Sequence, residues 1–388
     1  MADLPRTVDL ERLRDALDVA ELVETAQALV RAPSENPPGD EKAVAAVVAQ
    51  LLRNAGASDV TTVVAEARRH SVIARWGAPR GRVLAWNGHL DVVPVGDREG
   101  CPHPPYDGVV SEGRLWGRGA ADMKGPIACA LQAVRMLDRA GLEPRGEVAF
   151  SLVADEEAGG ESGAAYLLGQ GLLPKADAGV CGEPTNLEVM TGARGRLWFD
   201  VTTFGRSAHA SQPERGENAI TAMLEIADAL AEADPRASPT LIAGGAGPNT
   251  IPDRCSLTID RRFSADEGAE AVRARIVGAV GKVRARSRMQ VELVERACLD
   301  AAEISPDAEI VHVTCAAAES VTGRPTRTGR MRAATDARFL IAAGIPTVVF
   351  GPGDLAEAHT PGESIAVAEL VQGALAYAAV MCRFLEAT

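Results

Sequence analysis

Trp116-Gly117-Arg118-Gly119-Ala120-Ala121-Asp122-Met123-Lys124-Gly125 is a glycine-bracketed turn that carries one carboxylate, Asp122, to the start of an apolar helical pattern at Ile127, Ala130, Leu131, Val134 and Leu137. Glycine opens backbone angles closed to other residues, so such a turn can aim one side chain at a fixed point. Two readings of Asp122 stand here: a helix N-cap, a common use of Asp before an amphipathic helix, or the pivot of an active site. The surrounding chain decides between them.

Upstream, residues 19–30 repeat apolar side chains at helical spacing, and Ala32-Pro33-Ser34-Glu35-Asn36-Pro37-Pro38-Gly39 must end that helix. A helix over 41–55 and strands over 59–64, 71–76 and 82–86 follow, the last running into Asn87-Gly88-His89-Leu90-Asp91-Val92-Val93-Pro94. On an extended chain residues i and i+2 face the same side, so His89 and Asp91 can point together, one ligating a metal while the other orients it. A surface His and Asp in a polar turn is the alternative. The loop over 96–113 is proline-rich and holds His103, either one wall of a pocket or an ordinary loop residue.

Downstream, a strand over 147–154 ends in Asp155-Glu156-Glu157-Ala158-Gly159-Gly160, and adjacent carboxylates repel unless cations or protons compensate. A strand over 178–181 runs into Gly182-Glu183-Pro184-Thr185, and one over 347–350 leads through Gly351-Pro352-Gly353 to Ala358-His359-Thr360-Pro361-Gly362-Glu363. In open α/β sheets, sites are built at the C-terminal ends of strands. Two histidines and several carboxylates suit a pair of zinc ions sharing a bridging carboxylate.

At 388 residues two domains are expected. The 46% hydrophobic and 24% charged content is that of a soluble globular protein. A formal charge of -13 argues against nucleic acid or an anionic membrane as partner and leaves a small-molecule site as the expectation. The seven cysteines form no CxxC pair, a reduced usage that predicts neither disulfides nor a thiolate zinc site. Residues 1–20 show no signal-peptide pattern and no uninterrupted apolar run is predicted to span a membrane, so the expected location is the cytoplasm.

Between 192 and 300 the texture changes: strand 196–204, helix 217–233, strands 240–243 and 254–263, helix 265–286, strand 290–296. This β-α-β-β-α-β order fits a ferredoxin-like module inserted in a catalytic domain, dividing the chain into 1–191, 192–300 and 301–388. The last part is predicted to carry a helix over 307–321, a loop over 328–336 and a final helix over 365–385.

The ordered set Gly88-His89-Leu90-Asp91, Gly117-Arg118-Gly119 with Asp122-Met123-Lys124-Gly125, Asp155-Glu156-Glu157, Gly182-Glu183-Pro184-Thr185, Ser207-Ala208-His209 and Ala358-His359-Thr360-Pro361 resembles the co-catalytic zinc amidohydrolases. That family includes acetylornithine deacetylase, succinyl-diaminopimelate desuccinylase, aminoacylase and glutamate carboxypeptidase. The resemblance implies an α/β zinc-peptidase-like catalytic domain with a central mixed sheet flanked by helices, plus an inserted α+β ferredoxin-like lid and dimerisation domain. It implies two divalent ions per subunit, zinc first, with cobalt or manganese as alternatives. His89, Asp122 and Glu183 would hold one, and Asp122, Glu157 and His359 the other. Asp122 would be the bridge, with a cis bond to Met123; Asp91 would orient His89, and Glu156 would be the general base.

By the same resemblance His209 reaches a partner subunit's active site in a homodimer and stabilises the oxyanion, while Asn249 and Arg262 lie near the substrate carboxylate. Strand alternation turns only one of Arg261 and Arg262 to each face. The implied reaction is hydrolysis of the amide of an N-acyl amino acid or related small substrate by a metal-bridging hydroxide, of the acetylornithine deacetylase type. A carboxypeptidase of the glutamate carboxypeptidase type and succinyl-diaminopimelate desuccinylase are the alternatives. Glu183, where aminopeptidase members usually carry Asp, favours deacylase and carboxypeptidase, and retention of Glu156 with all five ligands opposes a silent relative. The chain departs from the family at Arg330-Met331-Arg332-Ala333, where many members have paired glycines. Arg330 and Arg332 either favour an acidic substrate or are solvated. Ala193 and Thr360 stand where desuccinylases tend to carry Arg and Lys, which lowers that alternative.

Overall fold

Strand Val83–His89 is buried along almost its whole length because it pairs on both sides and is covered on both faces. It runs parallel to Glu147–Val153 and to Ala178–Cys181, and Thr347–Val349 extends the parallel set beyond Ala178–Cys181. Arg69–Gly77 and Ser58–Glu66 add antiparallel strands at one side, and Val189–Ala193 pairs antiparallel with Thr347–Val349 at the other. The central sheet is therefore mixed, as expected. The computed structural model describes residues 8–173, 175–286 and 289–387.

Alternation along Val83–His89 sends Leu84 and Trp86 into one core and Ala85 into another. The larger core joins helices Val19–Val30, Lys42–Asn54, Gly125–Arg139, Glu309–Thr322 and Val367–Phe384 to the sheet. On the other face Ala85 packs with Leu340 of helix Ala337–Ala342 and with Ile345. Helix Val367–Phe384 is long and apolar enough to cross a membrane by length and composition, although Glu369, Gln372 and Arg383 interrupt it, in keeping with the expectation of no uninterrupted apolar run. It is instead the centre of the core, with residues 373–382 buried throughout, packed against Gly125–Arg139 and Glu309–Thr322.

The chain divides into two units: Met1–Gly192 with Glu303–Met331 and Thr335–Thr388, and Ala193–Ala302 with Arg332–Ala334. In the second unit strands Gly195–Phe204, Ser238–Gly244, Arg254–Phe263 and Gln290–Leu299 form an antiparallel sheet. Numbered along the chain, their spatial order is 2-3-1-4. Helices Ala219–Ala233 and Ala269–Arg286 pack through Met223, Ile226, Val272 and Ile276 on Leu197, Phe199, Leu257 and Ile259. The second helix begins at Ala269 rather than 265, because Gly268 takes a positive φ of 71° and closes a turn ahead of it.

A small sheet of Val109–Ser111, Arg114–Trp116 and Ser364–Ala366 was not legible in the sequence, since three-residue strands carry too little periodicity. It ties the segment entering the Asp122 turn to the segment leaving His359.

Candidate metal centre

The parallel register sets the strand ends level: His89 lies opposite Val153, and Asn87 and Val349 both lie opposite Cys181. The chain leaves these four ends through His89 to Asp91, Asp155 to Glu157, Glu183, and the loop to His359. Hence residues far apart in sequence meet along one edge of the sheet.

Asp122 is not an N-cap. Helix Gly125–Arg139 opens with a proline in its first turn and no side-chain cap, and Asp122 precedes it with non-helical angles (φ -123°, ψ 95°) and a cis bond to Met123. The Glu363 carboxylate fixes this turn by accepting the N–H groups of Ala121 and Asp122, 3.1 Å each, and by pairing with buried Arg118. Beneath it Met123 and Trp86 fill the space that a Cβ on Gly88 or Gly182 would need: the nearest Met123 carbon lies 2.6 Å from the first position and 2.9 Å from the second.

The two Asp122 oxygens face two histidines. Oδ1 lies 2.9 Å from His89 Nε2, and Oδ2 lies 3.4 Å from His359 Nε2. Glu183 Oε2 is 3.9 Å from His89 Nε2, and Glu157 Oε1 is 3.1 Å from His359 Nε2. His89, Asp122 and Glu183 thus offer three ligand atoms within 4.8 Å of one another, and so do Asp122, Glu157 and His359. His89, Asp122 and Glu183 are buried, whereas His359 is half-exposed with a left-handed φ of 64°. Left-handed angles are uncommon away from glycine and gather at functional sites.

Electrostatics tests whether cations fit. Burial and the neighbouring Glu183 push the Glu156 carboxyl well above its ordinary value; burial and Asp122 do the same to Glu183. Burial also raises Glu157, against the His359 hydrogen bond that lowers it. Burial would lower His89, but hydrogen bonds to Asp122 and Asp91 raise it well above the usual imidazole range. His359 is raised to about 10 by Asp122 and Glu157. Protons on these imidazoles and carboxyls would offset the gathered negative charge in the metal-free chain, a task that two divalent cations would take over. The donor set of nitrogens and carboxylate oxygens fits such a pair.

His89 Nδ1 lies 2.9 Å from the Asp91 carbonyl and 3.6 Å from its carboxylate. That carboxylate also accepts the N–H groups of Glu156 and Glu157, 3.1 Å each, and a hydrogen bond from Asn36 at 2.9 Å. Sequence reasoning gave no role to Asn36, Arg69, Glu363 or Asp336. Of these Glu363 had a signal, a carboxylate four residues past His359. Asp336 is buried with both oxygens lacking a hydrogen bond, and burial raises its carboxyl to about 6.

In the second unit His209 is exposed, its Nδ1 2.8 Å from Ser211 Oγ. A two-residue ladder pairs it with Thr250, beside Asn249, whose carbonyl accepts the Ala210 N–H. Alternation resolves the arginine pair: Arg261 is buried on Asp234 and Glu267, while Arg262 lies on the other face and pairs with Asp260. Arg330 pairs with Glu303 at 2.6 Å, and Arg332 is exposed.

The sequence profile described as Peptidase family M20/M25/M40 matches residues 85–383. The chain belongs to this family. It is 33% identical over 385 residues to a succinyl-diaminopimelate desuccinylase of Methylorubrum populi, covering 92% of this chain and 97% of that protein. The fold matches aminopeptidase PepT of Bacillus cereus with a TM-score of 0.80 at 22% identity, over 94% of this chain and 98% of PepT. It matches the Bacillus subtilis YXEP protein, a dinuclear metal binding peptidase of the M20 family, with a TM-score of 0.68 at 19% identity, over 95% and 99% of the two chains. The protein is an M20-family hydrolase, a metal-binding enzyme of metallopeptidase-like amidohydrolase type.

Proposed function

We propose that the enzyme hydrolyses the amide of an N-acyl amino acid, or a closely related small substrate, with two divalent cations, zinc in the first place. The placement of the two Asp122 oxygens toward two separate histidines carries this reading. His89, Asp122 and Glu183 would hold one cation, and Asp122, Glu157 and His359 the other. Cations so held would acidify a water and polarise the amide carbonyl.

The chain's own residues do the rest. Glu156 takes the proton of the attacking water and returns it to the departing amine. Asp91 holds the backbone of Glu156 and Glu157 and the ring of His89. Asn249 and Arg262 bind the substrate carboxylate, for which a guanidinium fork is suited. Arg332 would add positive charge favouring an acidic substrate, whereas the charge of Arg330 is met by Glu303.

In this reading the second unit is a ferredoxin-like lid that also makes a homodimer, and His209 supplies an oxyanion donor to its partner's site. Strand Ser238–Gly244 supports the dimer: it is a sheet edge exposed at every residue, with Leu241 67% and Ile242 63% exposed, the kind of edge that pairs with another chain. The cytoplasm is the proposed location.

The names of its relatives favour a second reading, an N-succinyl substrate. Against it stand Ala193 and Thr360, where desuccinylases tend to carry Arg and Lys. Assay of metal-loaded enzyme on N-acetyl, N-succinyl and N-formyl amino acids, with dipeptides ending in Glu or Asp, separates these readings. Turnover of an N-acyl class, lost on chelation and restored by zinc or cobalt, supports the deacylase. Preference for the dipeptides replaces it with a carboxypeptidase, and no turnover on any of them removes both.

A further inference from the structure

Two residues outside every motif reach the machinery through a buried network. Asn36 Nδ2 donates to Asp91 Oδ2 at 2.9 Å and to Asp155 Oδ1 at 3.1 Å, while its Oδ1 accepts from Arg69 at 3.0 Å. Each polar atom of the amide is used, and only this orientation works, since the reverse would point the oxygen at two carboxylates. The Arg69 guanidinium also pairs with Glu41 at 2.7 Å and with Asp155 at 3.1 Å. It occupies the space beside Gly39, 1.8 Å from where a Cβ there would sit.

The loop itself is fixed. Asn36 N–H donates to the Val92 carbonyl, Val92 N–H to Ser34, and Ser34 Oγ to the Leu90 carbonyl. Asn36 is therefore docked on the segment that carries Asp91. The Asp91 carboxylate in turn receives the N–H groups of Glu156 and Glu157, and Asp155, with a left-handed φ of 71°, accepts the Ser162 N–H. The turn bearing Glu156 thus hangs on two carboxylates, and a single cation with one amide holds both in place.

We propose that Arg69 and Asn36 are positioning residues for Glu156, acting through Asp91 and Asp155. This rests on the reading of Glu156 as the base. Without the guanidinium fork no single group bridges Glu41, Asp155 and the Asn36 oxygen, a geometry that a lysine ammonium cannot reproduce, and the turn is released. A displacement approaching 1 Å at a reacting group costs about 10²-fold in rate.

The test uses full-length, metal-loaded enzyme carrying Arg69→Lys, which keeps the charge but not the fork, and separately Asn36→Ser. Both should lower kcat roughly 10–100-fold, with KM within about twofold and two metals still bound per chain. A merely structural role would lower Tm and leave kcat in place. A kcat within about twofold of the parent in either folded variant overturns the proposal, as does metal loss in proportion to activity, or failure of both to fold. Glu156→Ala measured alongside separates the two ideas: if it retains turnover, the base assignment fails; if it is inactive while Arg69→Lys is fully active, only the positioning role fails.

Discussion

Along Glu147–Val153 every side chain is buried, whereas along Arg254–Phe263 buried and half-exposed residues alternate. The first strand lies in a sheet covered on both faces, so solvent and substrate meet it only at its ends, and the acids and histidines collect there. The second lies in a sheet with one buried face, leaving an open face and a bare edge at Ser238–Gly244. One architecture gathers charge at its strand ends; the other leaves a face and an edge uncovered, the surface that the proposed recognition and association would use.

The sharpest way to break this division of labour is Glu156→Ala. Turnover should fall roughly 10²–10⁴-fold, the usual contribution of a general acid–base, with metal content by elemental analysis unchanged. Next, His209→Ala should reduce kcat roughly 10²–10³-fold, and mixing its subunits with Glu156→Ala subunits should restore partial activity. No recovery after subunit exchange would confine His209 to its own chain.

Leu241→Glu is a milder intervention, placing charge on the bare edge. It should convert a dimer to a monomer by sedimentation while leaving the metal-loaded Tm close to the parent's. A monomeric parent would remove the association role from this edge.

The smallest effect concerns pH. In the metal-free chain Glu156 and Glu183 have raised carboxyls, so the stability they contribute is full below 4.5 and is lost as pH rises through their folded values. His359, raised from 6.5 to about 10, contributes fully below 6.5 and loses its pairing toward 10. Bound cations replace these protons, so the fall in Tm on chelation should grow from about pH 5 to about pH 8. A constant difference across that range would contradict the charge balance drawn for the site.

Much of this was legible because both sheets advertise themselves in different ways. Helix Val19–Val30 and strand Arg254–Phe263 match the expected limits because their apolar spacing is regular and turn residues bound them. The strand ends bearing His89, Glu156, Glu157, Glu183 and His359 were visible as polar residues interrupting apolar runs. Val189–Ala193 was not read as a strand: five residues with a glycine inside show no period. Asn36 and Arg69 escaped because their meaning lies in a contact across 33 residues, and nothing local distinguishes them from a loop amide and a surface arginine.

Gly88 and Gly182 belong to two different motifs, yet both leave room for the same pair of side chains, Trp86 and Met123. They therefore form one inheritable unit with them. A methyl group at either glycine collides with the residue that follows Asp122, so drift at any of the four positions should be tolerated only with compensation at another. In a library randomised at these four sites, survivors should show paired changes, with glycine lost only where Met123 or Trp86 has become smaller.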